Sequence, residues 1–148
     1  MKKELKKLAI ASIASASLFA GLSIPANAVP FVDAQDTNIR LFVDAWRPVL
    51  SGNIRGNSWV STRNANSQAV EARVVITNRN SNGTLHSTTT GVWVRRAAAS
   101  GTLANNTEHQ SGTVTGSTRF GTVRGEGRRR ATSTGAWSTP LTHNARTW

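Results

Sequence analysis

The chain has 148 residues, no cysteine and a formal net charge of +11, which bounds it to about one domain and excludes disulfide staples, thiol catalysis and cysteine metal sites. Five tryptophans, no tyrosine and a wealth of Ser, Thr, Asn and Gly suit β-structure around a thin core. A basic balance of this size points to an anionic partner.

Residues 1–28 read as a secretory signal peptide. Lys2, Lys3, Lys6 and Lys7 form a positive start, Leu8 to Ile24 is an apolar and small-residue run, and Ala26-Asn27-Ala28 has the small-x-small pattern cut by signal peptidase. Ser12, Ser15, Ser17, Gly21 and Ser23 interrupt the run before Pro25, so it is too short and too polar for a membrane span of about 20 apolar residues. Lysine-led signals of this kind are typical of bacteria, and the expected product is secreted and extracellular. The residues after 28 hold fourteen arginines, no lysine and six acids, a net charge of +8.

Residues 29–148 are expected to form a single β-rich domain. Asp33, Gln35, Asp36 and Asn38 make 29–38 a candidate loose arm. In "NIRLFVDAW", 38–46, Ile39, Leu41, Val43 and Ala45 alternate with Arg40, Phe42, Asp44 and Trp46, the period of two of a strand. "SWVSTR", 58–63, follows as a second strand after the Gly52 and Gly56 breaks. The clearest element is a hairpin: Val70, Ala72, Val74 and Ile76 line one face, Glu71, Arg73 and Thr77 the other, and Asn82-Gly83 is the signal for a two-residue type I′ turn. A further hairpin is expected through 112–137, with Gly125-Glu126-Gly127 as its turn. No helical stripe follows the signal peptide, so the expected fold is all-β: a small antiparallel β-sandwich built from hairpins.

His86, His109 and His143 and the scattered acids form no nucleophile elbow, HExxH or paired-carboxylate motif. The expectation is therefore a protein that is not an enzyme, with no catalytic residue, metal or cofactor. Binding features are richer. Trp93 precedes Arg95 and Arg96, and the run Arg128, Arg129, Arg130 lies before Trp137. On a strand Trp93 and Arg95 share a face, where an indole offers stacking area and guanidinium forks suit phosphate or carboxylate. Trp93, Arg95, Arg96, Arg128, Arg129 and Arg130 are the candidate anion- and sugar-binding residues, against the plainer alternative of a core tryptophan with a solvated arginine rim.

"ARVVITN", 72–78, followed by "GVWVRRAAASGTL", 91–103, resembles the centre of the lactococcin 972 family of bacteriocins. Val74, Val75, Gly91, Val92, Trp93, Gly101 and Leu103 carry the resemblance, which covers about residues 67–105. The chain departs from the family in its greater length, its basic Gly/Thr-rich C-terminal piece and its lack of tyrosine. The resemblance implies a small antiparallel β-sandwich acting outside the cell on the envelope growth of related bacteria, by engaging a cell-wall precursor without cutting it. The partner class is then an anionic cell-envelope polymer or wall precursor. A wall- or glycan-associated binding module without killing activity shares nearly all of these features. Export argues against a nucleic-acid binder, and the missing motifs against a secreted enzyme. Export is expected to cleave after Ala28, so that N-terminal sequencing of the product begins at Val29; a product retaining Met1 would overturn the signal-peptide reading.

Overall fold

Alternation of apolar and polar residues gives the strands at 39–46 and 69–79 an inward apolar row and an outward row that carries the charges. The computed structural model describes residues 32–49 and 52–148, with side chains from 34 onward; the expected signal peptide and its cleavage point lie outside the described residues. Ten strands follow in chain order: β1 Val32–Gln35, β2 Ile39–Trp46, β3 Arg55–Thr62, β4 Ala69–Arg79, β5 Leu85–Thr90, β6 Val94–Ala97, β7 Glu108–Gln110, β8 Val114–Thr115, β9 Phe120–Arg130 and β10 Leu141–Thr147. No helix is present among the described residues, and the fold is the all-β sandwich expected.

One sheet runs β1-β2-β3-β7, with β8 also pairing with β3; the other runs β10-β9-β4-β5, with β6 continuing along β4. Every pairing is antiparallel. Ile39, Leu41, Val43, Ala45, Ile54 and Val60 from the first sheet meet Val70, Ala72, Val74, Ile76 and Val123 from the second in one core. The outward partners on β2 and β3 include Phe42 and Trp59, which stack with ring centroids 5.5 Å apart.

Two polar side chains tie the layers together. Ser58 Oγ donates to the Arg73 carbonyl across the sandwich at 2.9 Å. Asn78, fully buried, donates to Ser87 Oγ and Thr89 Oγ1 and accepts from the Ser117 N–H at 2.9 Å. Both groups are hydrogen-bonded, as buried polar atoms must be to avoid a desolvation cost.

Three expectations are corrected. Gly125-Glu126-Gly127 is not a turn but the middle of β9, which pairs with β4 from Ala69↔Arg130 to Arg79↔Phe120. The glycines are there because the layers touch: a Cβ at 125 would lie 2.3 Å from Val43 Cγ2, and one at 127 would lie 2.4 Å from Val60 Cγ1. Glycine inside a strand can mark such a close approach as well as a bend.

The Asn82-Gly83 loop is not type I′. Only Gly83 has positive φ, +84°, its N–H donates to the Asn80 carbonyl, and Asn80 N–H donates to the Thr84 carbonyl, each at 2.9 Å. Asn82 Oδ1 accepts from the Thr84 N–H at 3.1 Å, a local bond that offers Asn82 an alternative to the left-handed conformation. The result is a longer loop ending in a left-handed glycine, with a register shift between Asn78 and Arg79. Lastly, the 29–38 segment is not a loose arm from residue 32 on, because Val32–Gln35 pairs with β2 from Val32↔Val43 to Gln35↔Arg40. Asp36 Oδ1 closes that turn by accepting from the N–H groups of Asn38 and Ile39.

The two glycine sites separate backbone strain from steric exclusion. Gly83→Val is expected to cost about 1 kcal/mol from its positive φ alone, since nothing lies within 4 Å of its Cβ position. Gly125→Val should cost about 3 kcal/mol or prevent folding. Denaturant melts check both; a Gly125→Val chain as stable as the wild type would mean that the sheets do not meet at this point.

Candidate functional site

Cross-strand register brings opposite charges together on the outward face of the second sheet. Residues paired in an antiparallel ladder share a face, so Glu71 of β4 lies between Arg128 of β9 and Arg95 of β6, and Arg73 lies beside Glu126. Arg95 Nε donates to Glu71 Oε1 at 2.8 Å, and Arg128 donates to Glu71 Oε2 through Nε at 2.8 Å and Nη2 at 2.7 Å. Arg73 Nε and Arg124 Nη2 each reach Glu126 at 2.7 Å. The Glu71 and Glu126 side chains are only 3% and 6% exposed. Each carboxylate is thus withdrawn from water with two guanidinium groups on it.

Two indoles complete the layer. The guanidinium carbons of Arg73 and Arg128 lie 4.3 and 4.2 Å from the Trp93 ring centroid. Trp137, in the loop between β9 and β10, receives Arg95, Arg128 and Arg130 at 5.1, 4.9 and 5.2 Å. Planar guanidinium groups stack on indole in this way while keeping their in-plane N–H donors for anions. Trp93 is therefore neither a core residue nor a free platform.

Of the residues singled out by sequence, the structure brings Trp93, Arg95, Arg128 and Arg130 together on this face. Arg96 and Arg129 are not with them, because both share a register position with the inward-facing Val70. Arg129 Nη1 donates to the Asn66 carbonyl at 3.1 Å, and Arg96 is near enough to His109 to help lower its pKa, after the larger effect of burial. On the first sheet, burial raises the Asp44 pKa. A solvated charge run is also not what β9 carries: its odd and even arginines serve opposite faces.

Sequence reasoning missed Glu71, Arg73, Arg124 and Glu126 as members of this face. Their signal was parity. Glu71 and Arg73 sit on the polar side of the β4 alternation, and Arg124, Glu126, Arg128 and Arg130 share one parity once β9 is read as a continuous strand. The face holds five arginines against two carboxylates, which leaves it strongly cationic.

No protein-family model and no curated protein matches the chain. Among solved structures it is similar to the X-ray structure of Northeast Structural Genomics Consortium target SoR45, with 15% identity over 77% of this chain and 80% of that one and a TM-score of 0.31. A likeness at that level carries no argument.

The two arginines on Glu71 differ in exposure, 24% for Arg128 and 49% for Arg95, and should differ in worth. Arg128→Ala is expected to lower stability by about 2–3 kcal/mol, because it leaves Oε2 of the buried Glu71 carboxylate unpaired, with Arg95 alone on Oε1, and removes two stacking contacts. Arg95→Ala should cost less than about 1 kcal/mol. Chemical denaturation of the two variants checks this, and equal losses would refute the distinction.

Proposed function

We propose that this chain is a secreted, cationic, bacteriocin-like antibacterial protein that binds an anionic cell-envelope component or wall precursor of related bacteria without cutting it. The observation that carries this reading is the layer of Trp93, Trp137 and five arginines on one sheet face, with Glu71 and Glu126 the carboxylates paired to them. Arg95 and Arg124 are half-exposed and each gives one donor to a carboxylate, so donors remain for phosphate or carboxylate groups in solution. Arg130 makes no ion pair among the described residues and adds its full charge. The indoles hold the guanidinium planes in place by stacking, which leaves their in-plane donors for anions. The signal-like start and the resemblance to the lactococcin 972 family over about residues 67–105 supply the compartment and the antibacterial action.

The test uses the mature chain and a variant with Arg95, Arg124 and Arg130 all changed to Gln. Wild-type protein should bind isolated cell walls in low salt, release them as salt shortens the screening length to about 8 Å or less, and inhibit growth of related Gram-positive cells. The triple variant should keep its β spectrum and lose wall binding. Binding without growth inhibition would point instead to a wall-associated module that does not kill. Unchanged wall binding by the variant would sink the role given to this face.

A further inference from the structure

Beyond the cationic layer, at the end of the second sheet, an open cleft of about 400 Å³ lies between two loops. It is lined by Gln68 and by residues 99–102 and 131–133, whose side chains are those of alanine, glycine, serine and threonine. Its size falls in the range of small-molecule sites. Small side chains leave the room, and Ser100, Thr102, Thr132 and Ser133 provide hydroxyls with no charge among them, a lining suited to a polyhydroxylated ring.

Gln68 connects this cleft to the arginines. Its N–H donates to the Arg130 carbonyl at 2.9 Å, its Nε2 donates to the Ala98 carbonyl at 3.1 Å, and its Oε1 accepts from Arg130 Nε at 3.1 Å. Arg130 is thereby fixed at the margin of the cleft by a neutral amide and by Trp137, 5.2 Å away. A guanidinium held by a neutral amide has no counter-charge beside it, whereas one held by a carboxylate does. Arg95, on the same indole at 5.1 Å, adds a second set of donors.

We propose that the cleft is a binding site for a phosphorylated sugar, the ring seated between loops 99–102 and 131–133 and the phosphate on Arg130 with Arg95 beside it. The assignment rests on the outward face being an anion-binding surface and names the ligand that one end of it takes.

Titration with glucose 1-phosphate, glucose and inorganic phosphate, followed by tryptophan fluorescence and calorimetry, tests it. Glucose 1-phosphate should bind at least about tenfold more tightly than either of the others, and Arg130→Gln should remove about that factor by taking away one charge-assisted contact. Ala99→Leu and Ser133→Leu, both on exposed loops, fill the cleft; each should abolish the advantage of the sugar phosphate and leave inorganic phosphate binding unchanged. Equal affinity for glucose 1-phosphate and inorganic phosphate, or indifference to both leucine variants, would overturn the cleft assignment. Wall binding that survives such a result keeps the envelope reading and removes only the cleft, while sugar-phosphate binding without wall binding does the reverse.

Discussion

At positions 125 and 127 no side chain fits between β9 and the first sheet. Val43 and Val60 occupy the space that a Cβ would need, so the central strand of the second sheet faces the core largely as bare backbone. Val123 is its one large inward apolar residue among positions 123, 125 and 127. Such a strand gains little from burying its own side chains. What holds it is the eleven-pair ladder with β4 and, on the other face, the carboxylates that β4 and β9 exchange with each other's arginines. Close contact inside and ion pairing outside are two sides of one solution.

That solution ties the binding we propose to stability. Arg128 touches Glu71, Trp93 and Trp137 at once, and its donors and both stacking contacts serve the protein itself. Arg95, Arg124 and Arg130 are less committed, and they border the same indoles or carboxylates. The face therefore presents guanidinium donors whose directions are set by an inner row of ion pairs, which would reduce the ordering cost of the anion binding we propose. A wholly solvated arginine rim would lack this preorganisation.

Much of the fold was legible from alternation: the inward rows of β2 and β4 carry strong period-two patterns, and both are buried as the pattern predicts. β9 was not, because Gly121, Gly125 and Gly127 on its inward side look like turn residues when their partners across the sandwich are unknown. The error propagated to the candidate site. With a turn at 125–127, Arg128, Arg129 and Arg130 read as one exposed run; with a continuous strand, Arg129 faces the other way from its neighbours. Glu71 and Glu126 were invisible as partners because their arginines come from strands far away in sequence. The Asn82-Gly83 pair did mark the right loop but not its form, since Asn82 spends its side chain on Thr84.

The pairing of β4 with β9 also decides when the molecule takes shape. Its partners are 41 residues apart at Arg79↔Phe120 and 61 at Ala69↔Arg130, and everything from β5 to β8 lies in the loop that must close. Such non-local contacts slow folding, because chain entropy is lost before the ladder compensates for it. A chain ending before Phe120 has neither the β9 ladder that pairs β4 along its whole length nor Arg128, which shares Glu71 with Arg95. The second sheet therefore cannot be completed until residues 120–148, the final fifth of the chain, have been made.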